Sequence, residues 1–446
     1  MNSLQEILCG KALLQDELTG YELNHEDVTF QDSISVEQHK YRCNRCGTKE
    51  KHHFYQHYCA RCQKECIYCR NCIMMGKCTS CNKLVLWQGD SLAFPHIQQA
   101  LQWQGQLSPG QQTASDKVRD TIINHGMCLV WAVCGAGKTE VLFEGIAYAL
   151  SKGQRVCIAT PRTDVVLELV PRFKAAFPTT LISALYGGSE EKHLPAQLVI
   201  STTHQLLRYQ QAFDVIIIDE VDAFPYSIDK TLQFAVKKSL KTTSSLIYLT
   251  ATPSRTLQKL AYSGKLPYVT IPARYHRQPI PVPQLKWCGN WKKVFQKGRI
   301  PKALCTWYEH KLQTKTPFLI FFPNIELMNA HVSLFSNIEA VYAEDPNRKT
   351  KVQALREQKM LGLLTTTILE RGVTIPKLEV AVIGAEEEIF TESALVQIAG
   401  RVGRSAQHPT GNVTFFHYGK TRAMIRAVRQ IQRMNAEGRE RGLLDE

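Results

Sequence analysis

The feature that most restricts this chain is the apolar run CLVWA (128–132), which enters AVCGAGKT (Ala132–Thr139) and then the helical run EVLFEGIAYAL. Strand, glycine-containing loop and helix in that order are what a phosphate-binding loop requires. Gly135 and Gly137 let backbone N–H groups close round phosphate, and the helix N-terminus adds a favourable field. Cys134 and Ala136 complete the cradle, while Lys138 is placed for the β- and γ-phosphates of ATP and Thr139 for Mg²⁺. Ala132 stands where the motif usually begins with glycine. A strand continued by a crossover helix implies a parallel α/β sheet.

The partner of this loop is DVIIIDEVD (Asp214–Asp222). A buried strand delivers Asp219 and Glu220 at its C-terminal end, where open α/β sheets bind ligands. Asp219 suits Mg²⁺ and Glu220 suits orienting and deprotonating an attacking water. Apolar runs expected as further strands are Arg155–Thr160, Leu198–Thr202 and Ser245–Thr250. A proline-rich stretch, Ile271–Pro283, then breaks the pattern as a hinge. A second series follows at Phe318–Phe322, Glu339–Tyr342, Leu361–Thr366, Val380–Ile383 and Asn412–His417. Near its end QIAGRVGR (Gln397–Arg404) sets Arg401 and Arg404 three residues apart, fit to neutralise charge on a transferring phosphoryl group. From Lys420 the tail reads as a basic amphipathic helix, with Met424, Val428 and Ile431 on one face.

Nine of the fifteen cysteines lie between Cys43 and Cys81, mostly as CxxC pairs. The N-terminus lacks the basic and apolar regions of a signal peptide, and no apolar run is long enough to span a membrane. Clustered CxxC pairs in a reducing cytosol are expected as metal ligands. Cys43, Cys46, Cys59 and Cys62 have ribbon-like spacing for one tetrahedral Zn²⁺. A second Zn²⁺ is open to Cys66, Cys69, Cys78 and Cys81, to Cys69, Cys72, Cys78 and Cys81, or to cross-pairing between the groups. His52, His53 and His57 read as surface residues. Basic and aromatic residues interleave there, Tyr55 and Tyr58 among them, as suits a single-stranded nucleic acid. The formal charge of +14 agrees with a polyanionic partner.

The expected organisation is an arm (1–40), a zinc module (41–86), a nucleotide-binding lobe (87–278) and a second lobe with the basic helix (279–446). The set AVCGAGKT, DEVD, TAT (250–252), TTTILERGVTIP and QIAGRVGR resembles the ordered motifs of superfamily 2 helicases. That resemblance implies two RecA-like parallel-sheet lobes in tandem behind a small zinc-ribbon-like module. It makes Gln111 an adenine-reading residue. It also makes Thr160, Pro161, Arg162, Thr202 and Thr203 strand contacts on the first lobe, and Thr366, Arg371 and Gly372 their counterparts on the second.

CNRCG, CIYCRNCIMMGKC, LQWQGQLSPGQQ, DEVDAFPY and PARYHRQPIPVP resemble the ComFA family of late competence proteins across nearly the whole chain. The resemblance implies an ATPase at the cytoplasmic face of the membrane that draws single-stranded DNA through an uptake channel, with ComEC and ComFC as partners. A replication-restart helicase of the primosomal type and a non-motor zinc-binding DNA scaffold are the alternatives.

Overall fold

The computed structural model describes residues 3–38, 40–370 and 374–445. Its N-terminal part holds helix α1 (Leu4–Leu8) and strands β1 (Ala12–Leu14), β2 (Val28–Asp32), β3 (Ile34–Glu37), β4 (Lys40–Cys43), β5 (Phe54–Cys59), β6 (Lys64–Cys69) and β7 (Lys83–Trp87). Strand β7 is flanked antiparallel by β1 and β2, while β3–β4 and β5–β6 are separate hairpins. Residues 1–40 were expected to form an arm ahead of the zinc module. Instead α1 stops at Leu8 and Ala12–Leu14 becomes a fully buried strand. Gly10 permits the turn at φ +71°, and a Cβ there would lie 2.8 Å from that of Ala212.

This module shares a core with the first lobe, where Ala12, Leu14, Cys43 and Cys72 pack in one cluster with Leu206, Phe213 and Leu232. A buried charge chain reinforces the seam. Arg45, fully buried, donates to Glu17 at 3.1 Å, and Glu17 receives Arg208 of the first lobe at 2.6 Å. These two guanidinium groups hold the Glu17 carboxyl below its ordinary range against the opposing effect of its burial. Lys238 donates to the Arg45 and Leu207 carbonyls, both at 2.9 Å.

The first lobe has strands β8 (Met127–Ala132), β9 (Val156–Thr160), β10 (Ile182–Leu185), β11 (Leu198–Thr202), β12 (Phe213–Asp219), β13 (Leu240–Thr250) and β14 (Tyr268–Ile271). They form one parallel sheet in the order β10-β11-β9-β12-β13-β8-β14. Helices α2 (Pro109–Ile123), α3 (Phe143–Ser151), α4 (Thr163–Ala176), α5 (Lys230–Ser239) and α6 (Arg255–Tyr262) connect and cover it. Strands β9, β11 and the centre of β12 are buried on both faces, which is why they read as unbroken apolar runs.

The second lobe has strands β15 (Gln284–Trp287), β16 (Phe318–Phe321), β17 (Glu339–Val341), β18 (Gly362–Thr365), β19 (Glu379–Ile383) and β20 (Val413–His417). Their parallel order is β15-β20-β19-β16-β18-β17. Its helices are α7 (Trp291–Gln296), α8 (Lys302–Gln313), α9 (Ile325–His331), α10 (Arg348–Arg356), α11 (Glu392–Ala399) and α12 (Arg422–Glu440).

Helix α12 was expected as a basic tail of the second lobe. It does pack there, burying Met424, Ala427, Ile431 and Met434. It also reaches the first lobe. Gln430 donates to the Ala251 carbonyl at 2.9 Å, and Arg433 lies 5.0 Å from the centre of the Trp131 ring and hydrogen-bonds Tyr262. Beyond the helix, Arg441 donates to the Thr270 hydroxyl at 2.9 Å, and Leu443 and Leu444 bury against Ala273. Arg433 and Arg441 thus make contacts across the lobes, while Arg422, Arg429 and Arg439 remain exposed. No helix among the described residues is long and apolar enough to cross a membrane.

Candidate nucleotide cleft and cysteine module

A cleft of about 1480 Å³ separates the lobes and gathers Gln111, Cys134–Thr139, Asp219 and Glu220 from one side with Arg401 and Arg404 from the other. Strand β8 ends at the loop, whose Gly135 and Gly137 stand at φ +85° and +71°. A Cβ on Gly137 would lie 2.3 Å from the Gln111 amide nitrogen, so only glycine fits. Lys138 Nζ lies 3.9 Å from Asp219 Oδ1, which brings the loop cation to the end of β12. The Glu220 backbone is held at φ +55°, outside the region non-glycine residues prefer, and its N–H donates to Asp219 Oδ1 at 2.8 Å. Gln111 caps α2, accepting from the Ser108 N–H at 2.8 Å, and donates to the Gly137 carbonyl at 3.1 Å. Both ends of its amide are thus engaged, and reading a base requires releasing one.

A polar chain crosses the cleft floor. The Cys134 thiol donates to Gln397 Oε1 at 3.1 Å, and Gln397 Nε2 reaches Thr252 Oγ1 at 3.4 Å. Thr252 and Ser393 donate to Asp222 Oδ2 at 2.6 and 2.9 Å, and Thr250 bonds the other Asp222 oxygen. The last acid of DEVD therefore ties the TAT segment to α11. Sequence reasoning gave Asp222 and Ser393 no role, although DEVD already contained the first.

Several expected strand contacts are placed differently. Thr160 and Thr203 are wholly buried, and Pro161 and Thr202 nearly so, because the ends of β9 and β11 lie inside the lobe. Their side chains are not on a surface that a strand could touch. Arg162 faces the nucleotide cleft and pairs with Asp164 at 2.7 Å. Thr366 is partly exposed, and Arg371 and Gly372 lie outside the described residues.

The cysteines group otherwise than their order suggested. Cys43, Cys46, Cys69 and Cys72 form one cluster; Cys59, Cys62, Cys66 and Cys81 form the other. The β5–β6 hairpin explains the exchange. Its open end, where Phe54 pairs with Cys69, lies beside the Cys43–Cys46 knuckle, while its turn carries Cys59 away with Cys62. Cys59 and Cys62 thus cannot complete the Cys43 site, and Cys66 and Cys69 fall into different clusters. Cys78 lies against Cys43 and Cys72 as a fifth thiol.

Sulfur–sulfur separations are 3.7 Å (Cys43–Cys72), 3.6 Å (Cys46–Cys69), 3.7 Å (Cys59–Cys81) and 3.2 Å (Cys62–Cys66). Four thiolates at ~2.3 Å round a tetrahedral Zn²⁺ stand ~3.8 Å apart. Both clusters fit such an ion. Thiol protons donated by Cys46, Cys69, Cys72 and Cys78 already push Cys43 far below the usual thiol range.

Family models match along the chain. The Competence protein ComFA N-terminal domain covers residues 1–86, Type III restriction enzyme, res subunit covers 104–255, and the Helicase conserved C-terminal domain covers 300–406. The chain is 48% identical to Competence protein ComFA of Bacillus subtilis (strain 168), over 97% of this chain and 95% of that one. The chain belongs to the ComFA family. Competence protein ComFA of Streptococcus pneumoniae is 37% identical over 96% of this chain and 98% of its own length. Among solved structures, S. cerevisiae Dbp5 bound to RNA and ADP BeF3 aligns with a TM-score of 0.50 at 18% identity, covering 74% of this chain and 92% of that chain. Mycobacterium smegmatis helicase Lhr bound to ssDNA and AMP-PNP aligns at 0.50 and 17% identity, over 74% and 48% of the two chains. These two likenesses establish the fold. Family and domains together make this ComFA-family chain a competence-related, helicase-like ATPase of superfamily 2.

Proposed function

We propose that this chain is an ATP-dependent single-stranded DNA translocase that drives DNA uptake during natural transformation. The observation that carries the reading is the convergence of Lys138, Asp219, Glu220, Arg401 and Arg404 on one interlobe cleft, in a chain whose relatives are named as competence proteins. Lys138 holds the β- and γ-phosphates, and Thr139 and Asp219 hold Mg²⁺, which when bound neutralises charge on the phosphates. Glu220 orients the attacking water and takes its proton. Arg401 and Arg404 approach the γ-phosphate as the lobes close. The polar chain from Cys134 through Gln397 to Asp222 passes that closure to the rest of both lobes.

The two cysteine clusters hold Zn²⁺ that fixes the β5–β6 hairpin. On one face of that hairpin the exposed Tyr55 and the partly exposed His57 flank Tyr68, and Lys77 lies 4.5 Å from the Tyr68 ring centre, a surface suited to stacking bases and following phosphates. The family resemblance supports ComEC and ComFC as partners at the cytoplasmic face of the membrane. The test compares ATP turnover with single-stranded DNA, duplex DNA and RNA. Single-stranded DNA should stimulate most, and Lys138→Ala should lose turnover by about 10²-fold or more while keeping DNA binding. Stimulation by RNA alone, or normal turnover in Lys138→Ala, rejects the reading.

A further inference from the structure

The interlobe segment PARYHRQPIPVP is proline-rich, yet its first half is fixed rather than loose. Strand β14 pairs with β8 up to Ile271 and Ala132, so the segment leaves the first lobe beside the phosphate-binding loop. Tyr275 N–H then donates to the Gly135 carbonyl at 3.3 Å. Between these two anchors Arg274 turns away from solvent and is only 1% exposed. Its stem packs on the loop; a Cβ on Gly135 would lie 3.7 Å from Arg274 Cγ and 3.8 Å from its Nε.

The head of Arg274 crosses to the second lobe. Its Nη1 donates to the Gly403 carbonyl and its Nη2 to the Gly400 carbonyl at 3.3 Å. Gly400 caps the C-terminus of α11, where helix carbonyls lack intrahelical donors and favour a cation. The two accepted bonds bracket the turn Gly400–Arg404, which carries Arg401 and Arg404. His276 adds a ring nitrogen to the same Gly403 carbonyl at 3.1 Å. Gly403 stands at φ +66°, and a Cβ there would strike the Pro409 carbonyl at 2.1 Å, so the turn has little freedom of its own.

We propose that Arg274 is a positioning residue of the ATPase, a strut between the phosphate-binding loop and the turn that aims Arg401 and Arg404. A guanidinium suits the task because its rigid planar fork fixes the direction of both bonds, where an ammonium is a compact charge on a flexible stem. Arg274 forms no ion pair among the described residues, and its buried Nε has no hydrogen-bond partner among them. Burial, with Arg404 adding to it, lowers Arg274 to about 10. Arg274 thus stands close to Arg401 and Arg404, on the side of the turn from which a nucleotide's phosphate chain would approach. Closure on a triphosphate thereby becomes the state in which the strut is least strained.

This inference rests on the ATPase reading, and wild-type turnover is its baseline; a wild type without turnover fails that reading instead. Arg274→Gln should lower kcat with single-stranded DNA by about 10²-fold, the scale set by a small misplacement of catalytic groups. Affinity for a fluorescent ADP should stay within about threefold, since Arg274 does not line the nucleotide cleft. The variant should also fail to show the compaction that small-angle scattering reads in wild type with ADP and beryllium fluoride. Arg274→Lys, which keeps the charge but loses the rigid fork, should fall between the two and serves if Arg274→Gln does not fold. Near-wild-type kcat in either variant overturns the proposal. So does a loss of ADP affinity that matches the loss of kcat.

Discussion

Replacing Cys62 and Cys66 together by alanine, and in a second variant Cys43 and Cys59 together, separates the two ways the cysteines can be paired. Cys62 and Cys66 share one cluster, 3.2 Å apart, whereas Cys43 and Cys59 belong to different clusters. A four-thiolate Zn²⁺ site contributes ~10–16 kcal/mol at neutral pH. Loss of two thiolates from one site leaves about half of that, ~5–8 kcal/mol, and loss of one leaves about three-quarters, ~8–12 kcal/mol, both within reach of a strong chelator. After dialysis against EDTA, wild type should therefore carry two zinc ions per chain, one for each cluster. Cys62→Ala/Cys66→Ala should keep one, because only the hairpin-tip site is broken. Cys43→Ala/Cys59→Ala should lose the hairpin-tip ion and weaken the other, where Cys78 stands beside Cys72 to take the vacant place. Elemental analysis by plasma mass spectrometry gives the count. Pairing in sequence order puts Cys62 and Cys66 in different sites and demands that the first variant keep none. That outcome would refute the hairpin argument.

Arg433→Ala removes the cation above Trp131 and the hydrogen bond to Tyr262, and should cost ~1–2 kcal/mol of stability. Urea unfolding reads it, and an unmoved midpoint removes the brace from the account. Lys11 is brought down to about 7, first by burial and then by Arg155, against ~10.4 in an unfolded chain. The folded state thus binds fewer protons between these values, so the penalty is complete below about pH 7 and fades as pH rises toward ~10.4. Lys11→Met should accordingly raise the melting temperature more at about pH 6 than at about pH 10; an equal gain at both would show that Lys11 is buried without that cost.

How much could be read from residues alone depended on whether the signal was local. The segments AVCGAGKT and DEVD are each contiguous and each follow a doubly buried strand, so their elements were legible nearly to the residue. Strand Leu198–Thr202 matches its apolar run in full, and Phe213–Asp219 begins one residue before the segment DVIIIDEVD that announced it. The short strands Ile182–Leu185, Tyr268–Ile271 and Gln284–Trp287 were missed, being four residues each with no alternation to mark them. Ligand pairing was illegible because a hairpin reorders neighbours in space. The buried threonines show the limit of reading motifs by likeness: Thr160 and Thr203 hold their places in the pattern, but their side chains serve the lobe interior. Arg274 was in view within PARYHRQ, yet nothing in that string says that the arginine turns inward.

Helix α12 bears on how the two lobes can move. The chain crosses between them once, at PARYHRQPIPVP, and α12 with its following residues crosses back through Gln430, Arg433 and Arg441. A rigid body fastened to another at one point keeps three rotations; fastened at two, it keeps only rotation about the line that joins them. While α12 stays seated, an opening of the cleft that parts the Cys134–Gln397 and Asp222–Ser393 bonds is therefore a swing about a single axis. That axis runs from the interlobe segment to the seat of the C-terminal helix, so unseating the helix would free the lobes for other rotations.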